Sequence, residues 1–249
     1  MNLFKNKTCG GLTLLYTLFV TSCAPVYYQP PTQHTPLFTE KGQMYFSGNF
    51  QFGNQVSGLN FHIARAVHPH WAIGLNGNFV GTGNFATTAS NYTSSTVGQS
   101  NFGAINVGYF GTSVDKKSIF EIFTSLGRGQ IANKFNTGMS EVNLTCLSVQ
   151  PALGWRKKYA HLVLSSRFSF LSYDVKTNTF QNLVWFEQAN ALSNRIIPLF
   201  EPAFMFRVGG EHIKGFVQFI TAIQLNSSQK YFIYNPSSIS TGICVDIRN

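Results

Sequence analysis

Charged and imidazole side chains are scarce in this sequence, so those that fall inside otherwise uncharged segments are the first candidates for chemistry. Arg167 and Glu201 lie at similar distances from two neighbouring predicted turns, which would set them at the same depth on adjacent antiparallel strands. An ion pair there would satisfy two charges that are costly to bury singly. We therefore predict an internal polar network formed by His62, Glu121, His161, Arg167, Glu201, Arg207, Asp246 and Arg248.

Catalysis would need a more specific arrangement than such a network. Nucleophilic chemistry on a lipid would require a serine, a histidine and a carboxylate within hydrogen-bond reach near a membrane interface. His161 with Ser165 is the candidate pair, and both share the phase that points away from lipid. No metal-ligand spacing, phosphate-binding loop or dinucleotide fingerprint is present. We predict no catalytic residue, no metal and no cofactor, and an interfacial lipid-modifying enzyme is the less favoured alternative.

The composition indicates a membrane environment without spanning helices. Charged residues make up 11% of the chain, against about 25% in an average soluble domain. Aromatic residues make up 15%, yet no internal apolar run approaches the roughly 20 residues of a spanning helix. Dispersed apolar residues are typical of membrane barrels, whose strands are apolar on one face only. The net charge of +9 forms no basic cluster along the sequence, so nucleic acid is not an expected partner.

The first residues predict export. Met1–Lys7 is basic, Gly11–Val20 is a short apolar core, and small residues follow, as in a cleaved secretory signal. The ending Val-Thr-Ser-Cys resembles the lipobox of bacterial lipoproteins, which implies a signal peptide over 1–22 and acylation, for example with palmitate, at Cys23. An ordinary signal peptide that contains a cysteine is the alternative.

A proline-rich stretch follows the cysteine. Residues 23–42 begin Cys-Ala-Pro-Val-Tyr-Tyr-Gln-Pro and predict an extended, largely uncharged tether before a domain at 43–249. No acidic residue occurs after Cys23 until Glu40. Lipoproteins exported to the surface tend to carry such residues, so a lipid anchor that faces the periplasm is expected.

Strands must position the internal residues. Period-two alternation recurs in ten runs, at about 43–52, 57–67, 70–80, 101–110, 118–128, 143–155, 159–172, 198–208, 214–225 and 238–248. A soluble sandwich and a membrane barrel both fit alternation alone. Lysine decides between them, because every lysine of the domain falls in a turn, a loop or a strand end. The sequence therefore predicts an all-β, antiparallel up-and-down transmembrane barrel of about ten strands, within limits of eight to twelve.

Loop lengths and aromatic residues support the barrel. Short links alternate with longer ones at 81–100, 129–142, 173–197 and 226–237, as expected when short turns are periplasmic and long loops extracellular. Aromatic side chains are predicted to form two interfacial bands. The lower band comprises Trp71, Tyr109, Trp155, Tyr159 and Phe216, and the upper band comprises Phe52, Phe79, Phe85, Phe102, Phe170, Tyr173 and Tyr231. A short helix is expected within 173–197, and loops 81–100 and 173–197 are the expected contact regions for a ligand or partner.

Together these features resemble the outer-membrane β-barrel lipoproteins of Bacteroidetes. The resemblance is carried by Val-Thr-Ser-Cys, the proline-rich stretch, Thr-Pro-Leu-Phe-Thr-Glu-Lys-Gly and His-Trp-Ala-Ile-Gly-Leu-Asn-Gly-Asn-Phe. It implies an outer-membrane location among lipids and transfers no functional residue beyond Cys23. The expected function is a non-enzymatic structural, adhesive or envelope-binding role through extracellular loops. A narrow small-solute channel or a hydrophobic-ligand carrier is the alternative.

Overall fold

The chain forms a closed antiparallel β-barrel in a computed structural model that describes residues 24–81, 97–193, 195–226 and 232–247. Within these residues, eleven strands and one helix occur in chain order: β1 Met44–Gly53, β2 Ser57–Ala66, β3 Trp71–Gly81, β4 Val97–Thr112, β5 Ser118–Phe135, β6 Gly138–Arg156, β7 Ala160–Asn178, α1 Leu183–Asn190, β8 Ile196–Gly209, β9 Ile213–Thr221, β10 Ile223–Gln224 and β11 Ser237–Ile247. The predicted Cys23, the signal peptide 1–22 and Arg248 lie outside the described residues.

Ten of these strands close the barrel, and β10 is a two-residue continuation of β9 that pairs with β8. Strands β1 to β8 each pair with the next strand along the chain, as far as β9, and β11 pairs with β9 on one side and β1 on the other. The Met44–Ile247 pair is at one end of the closing seam, and the Gly53–Ser238 pair is at the other. Closure leaves no long unpaired edge among the described strands, so the predicted fold class is confirmed. No helix in the described part of the chain is long and apolar enough to cross a membrane.

The outer surface carries a continuous apolar belt. On β3, Trp71, Ile73, Leu75 and Phe79 point outward and are each about half exposed, while Ala72 points inward. The same alternation recurs on the other strands and leaves rows of phenylalanine, leucine, isoleucine and valine on the outside. In water such a surface would be strongly unfavourable. On β3 this surface extends over the nine residues from Trp71 to Phe79, close to the 9 to 11 residues or so that a tilted strand needs to span a bilayer.

The predicted aromatic bands are correct in part. Trp71, Tyr109, Trp155 and Tyr159 are exposed on the outer surface near the short turns, and Phe52, Phe79 and Phe170 are exposed near the other end. The assignment was wrong for Phe216 and Tyr173, which are 4% and 3% exposed and face the interior. Phe102 also packs against an internal cluster. Phe85 and Tyr231 lie outside the described residues.

Strands β5, β6 and β7 extend beyond the belt. The predicted loop at 129–142 is instead the end of a hairpin, and β7 continues to Asn178 before α1 begins. The last apolar row on the outer face is Leu126, Leu147 and Phe170, which are register partners. Beyond that row the outer face becomes polar, with Arg128 and Asp174 exposed. These ends project into water, where a strand does not need an apolar face, and this is why alternation failed to reveal them.

Residues 24–43 pass through the barrel interior. The backbone N–H of Gly42 donates to the carbonyl of Ala66 at the short-turn end, at 2.8 Å. At the opposite end the N–H of Tyr27 donates to the carbonyl of Ile233, at 3.0 Å. The predicted tether is therefore extended, but it lies inside the barrel. Ala24 lies at the long-loop end, opposite to the end at which a periplasmic anchor was expected.

Candidate functional site in the barrel lumen

The internal segment, residues 24–43, meets the barrel wall at a buried ion pair. Arg167 on β7 and Glu201 on β8 are direct register partners, and the guanidinium Nε donates to the carboxylate. The hydroxyl of Tyr28 donates to Glu201 Oε1 at 2.5 Å, and Ser169 Oγ donates to Oε2, the oxygen that Arg167 contacts, at 3.3 Å. Arg167 Nη2 also donates to the carbonyl of Pro31 at 2.9 Å. One charge pair thus holds two strands and the segment together.

Glutamine and threonine side chains hold the middle of the segment. Gln33 donates its backbone N–H to Gln218 Oε1 at 2.8 Å and accepts from Gln218 Nε2 at 2.8 Å. The Thr32 hydroxyl lies 2.8 Å from Ser240 Oγ and donates to Asn49 Oδ1 at 2.8 Å. A wall side chain therefore pairs with the segment backbone as a neighbouring strand would. This satisfies backbone groups that would be costly to bury unpaired.

Arg207 fixes the segment nearer the short turns. Its Nη2 donates to the carbonyl and to the hydroxyl of Thr35, the latter at 2.8 Å. Its guanidinium lies over the ring of Tyr45, 5.3 Å from the ring centre. Both Arg207 and Tyr45 are almost fully buried. Moving the segment would break these contacts and leave the buried guanidinium without the hydrogen-bond acceptors of Thr35, so Arg207 opposes displacement of the segment.

The short-turn end of the lumen is closed by an apolar layer. Leu37 and Phe38 of the segment pack in a buried cluster with Phe110 and Phe216 from the wall. The backbone N–H of Phe38 donates to Glu121 Oε1 at 2.9 Å. Leu37 fits because its neighbour is Gly154, where an added Cβ would lie 2.2 Å from a Leu37 methyl. The segment is thus anchored by apolar packing below the polar network.

The structure places most of the predicted polar residues in the lumen. His62, Glu121, His161, Arg167, Glu201 and Arg207 are all buried there. His62 stacks on His34 of the segment, with ring centres 4.3 Å apart. Asp246 is only half-buried, near the short-turn end of β11, and its backbone pairs with that of His212. These residues contact the internal segment more than they contact one another.

The candidate catalytic pair is not assembled. His161 and Ser165 both face the interior of β7 and are buried. Four residues along a strand separate Cα atoms by about 13 Å, well beyond hydrogen-bond reach. Neither side chain faces the lipid belt. No group of three or more metal-ligating side chains occurs among the described residues.

Sequence reasoning missed the residues that plug the lumen. Tyr28, Thr32, Gln33 and Thr35 belong to the stretch that was interpreted as an extended, largely uncharged tether before the barrel. The composition of this stretch could have indicated a place inside the barrel, because it is rich in hydroxyl and amide side chains and contains four prolines before Leu37. Proline lacks an N–H, so each one removes a donor that the lumen would have to satisfy. Such a chain suits a narrow polar interior better than a charged, fully hydrated linker.

Small spaces remain at both ends of the lumen. Near the long loops, a cavity of about 60 Å³ lies between the segment and the wall formed by β3 to β6. Its lining includes Tyr28, Asn78, Asn133 and Arg167. That volume holds a few water molecules. At the short-turn end, a pocket of about 210 Å³ is lined mainly by basic side chains.

Comparisons with known proteins return structural similarity only. No family model matches the chain, and no curated protein matches it. Among solved structures, the chain is similar to the translocator domain of the autotransporter NalP from Neisseria meningitidis. The two share 14% sequence identity at a TM-score of 0.44, over 84% of this chain and 89% of that one.

Proposed function

We propose that this protein is a self-plugged outer-membrane β-barrel lipoprotein that presents a binding surface outside the cell and neither conducts solutes nor catalyses a reaction. The observation that carries the proposal is the course of residues 24–43, which run the length of the lumen, with 12 of the 14 residues from Pro25 to Phe38 buried. An eight-stranded barrel is filled by its own side chains, and a wider one leaves room for more. Here a strand-like piece of the same chain takes up that room.

The orientation follows from the two ends of the barrel. Outer-membrane barrels keep short turns in the periplasm and longer elements outside. Four short turns lie at one end, and the projecting ends of β5, β6 and β7 lie at the other with α1. Ala24 belongs to this second end, because Val26 and Asn133 exchange two hydrogen bonds of 3.2 Å near the β5–β6 tip. A lipid on Cys23, one residue earlier, would therefore emerge on the cell-surface side.

The binding surface that we propose is the projecting end with α1. Asn182 caps this helix by accepting from the N–H groups of Val184 and Trp185. Trp185 packs on Phe135, with ring centres 4.7 Å apart, and so fastens the helix to the β5–β6 tip. Leu183 and Val184 remain 68% and 56% exposed. Apolar side chains held in water on a rigid support are typical of interaction sites. Of loop 81–100, the other expected contact region, residues 82–96 lie outside the described part of the chain.

A pair of epitope insertions tests the orientation and hence the exposure of the plug. A short tag inserted after Ala24 is expected to bind antibody on intact cells, because that residue lies at the extracellular mouth. The matched control carries the same tag between Lys157 and Lys158, in a short turn. The control tag should be detected only after the outer membrane is permeabilised. Detection of the Ala24 tag only after permeabilisation would contradict the proposal.

A further inference from the structure

The short-turn end of the barrel carries a concentrated positive charge around a pocket. Five cationic side chains and one acidic side chain, Glu211, line a space of about 210 Å³. The cations come from three successive short turns and the strand ends beside them: Lys116, Arg156, Lys157, Lys158 and Lys214. Thr39 of the internal segment also lines the space. Cations drawn together in this way repel one another, and an anion between them removes that repulsion.

The surrounding contacts keep the cations in place. Lys214 is 1% exposed and donates to the carbonyl of Glu211 at 2.8 Å. Arg156 donates to the carbonyl of Leu37 at 3.0 Å, so its guanidinium is tied to the buried segment. Lys116 is held by Glu40 at 3.1 Å. The pocket is therefore built from two fixed positive groups at its inner side, Arg156 and Lys214, and from the exposed Lys116, Lys157 and Lys158 at its rim.

We propose that this pocket binds a phosphate group, supplied by the headgroup of an anionic phospholipid in the leaflet next to the short turns. Arginine and lysine together are the side chains that bind phosphate in proteins. That this leaflet is the periplasmic one rests on the orientation proposed above. Binding of the phosphate group does not depend on that orientation.

The position of the rim favours a lipid as the source of the phosphate. Trp155 and Tyr159 flank the turn that carries Lys157 and Lys158, and both aromatic rings are exposed on the outer surface. The ammonium of Lys158 lies 5.2 Å from the centre of the Tyr159 ring. Exposed tryptophan and tyrosine at the edge of an apolar belt mark the level of lipid headgroups. A lipid whose tails lie along the belt can therefore reach over this turn with its headgroup.

Native mass spectrometry of the full chain in micelles doped with phosphatidylglycerol tests the proposal. The protein should retain bound phosphatidylglycerol, and retention should fall about tenfold in K157S/K158S, since each surface lysine contributes appreciably to binding of an anionic lipid. The matched control is K134S/K176S, which removes the same charge from two exposed lysines at the opposite end. It should retain the lipid as the unaltered chain does. Equal loss in both double variants, or no loss in K157S/K158S, would overturn the proposal.

A second arm identifies the source of the phosphate. In one titration, inorganic phosphate is added to the protein that already holds phosphatidylglycerol, and the loss of bound lipid is measured. In the other, phosphate is added to the protein in micelles without phosphatidylglycerol, and the binding of phosphate is measured. Lipid retention that millimolar phosphate does not displace supports the headgroup. If phosphate binds in the absence of lipid, and K157S/K158S weakens that binding while K134S/K176S does not, the same pocket binds a soluble phosphate and the lipid headgroup is not its source. Failure of both probes to bind would reject the pocket, and because micelles have no sides, that failure would leave the proposed orientation untouched.

Discussion

Deletion of residues 24–38, which removes both the hydrogen-bonded segment and the Leu37 and Phe38 side chains of the apolar layer, is expected to convert a closed barrel into one that conducts ions. In planar bilayers the full chain should give no steady current, whereas the deletion variant should give discrete conductance steps. The deleted segment occupies the cross-section of one extended strand, roughly 5 by 10 Å. Its removal leaves a water-filled path lined by polar side chains. These include Asn49, Gln218 and Ser240, which are hydrogen-bonded to the segment in the intact protein.

The barrel should still fold without the segment. Closure depends on pairing between neighbouring strands and on the apolar belt, and neither involves residues 24–38. Water that enters the emptied lumen would hydrogen-bond to the groups that the segment now satisfies. Heat-modifiable mobility on a gel would check that the variant is folded.

A matched control separates an open lumen from a loosened rim. Replacing α1, Leu183–Asn190, by a glycine and serine linker of equal length alters the same mouth of the barrel. That variant should remain closed, because α1 lies over β7 and contributes only the small side chain of Ala189 to the internal cluster. Conductance by the full chain, or silence of a folded deletion variant, would contradict the plug.

Glu201→Gln is expected to have the largest effect of any single substitution on stability. The change keeps the size of the side chain but leaves the Arg167 guanidinium buried without its counter-charge. Removing one partner of a buried ion pair costs about 3 to 5 kcal/mol. Tyr28 and Ser169 also lose a charged acceptor, so the internal segment loosens with the wall. Urea unfolding of the protein in micelles, followed by tryptophan fluorescence, measures the loss.

Two further variants make this prediction specific. Replacing both partners, as Arg167→Met with Glu201→Gln, should recover much of the lost free energy of unfolding because no uncompensated charge remains. Asp174→Asn makes the same carboxylate-to-amide change in an exposed pair with Lys176, where the two charged atoms lie 2.6 Å apart. Its unfolding curve should overlay that of the unaltered chain. If Glu201→Gln and Asp174→Asn lowered the free energy of unfolding equally, burial of the Arg167–Glu201 pair would not be the source of the effect.

The barrel itself could be predicted because the bilayer imposes a simple pattern on its strands. Leu75 and Phe79 face lipid while Ala72 faces the lumen, and the same alternation recurs from strand to strand within the belt. The depth of the Arg167–Glu201 pair followed from the same regularity, since residues at equal distances from two neighbouring short turns at one end of the barrel lie opposite one another on adjacent antiparallel strands. Strand ends were mispredicted where the bilayer no longer acts, as at Asn133 and Asp174.

The occupant of the lumen could not be predicted by the same reasoning. Alternation shows which face of a strand is internal, but not whether water, side chains or another piece of chain fills the interior. Thr32, Gln33 and Thr35 have no periodic pattern, because each contacts a different wall strand through a separate hydrogen bond. Their partners on the wall are far away in sequence, and only the closed barrel brings them together.

A disulfide between the segment and the wall tests the central claim most directly. The hydroxyl oxygens of Thr32 and Ser240 lie 2.8 Å apart, so T32C/S240C places two thiols within bonding reach. The native Cys146 and Cys244 are buried and free, and peptide mapping distinguishes them from the new pair. Thr241 is the next residue on β11 and faces outward, which makes T32C/T241C the matched control.

The internal plug predicts an oxidised link between positions 32 and 240 in the folded protein, and none between positions 32 and 241. Both variants are oxidised under the same conditions in micelles, and the links are identified by peptide mapping without reduction. In folded T32C/S240C, a reduced thiol at position 32 that maleimide labels readily would show that the segment lies outside the barrel.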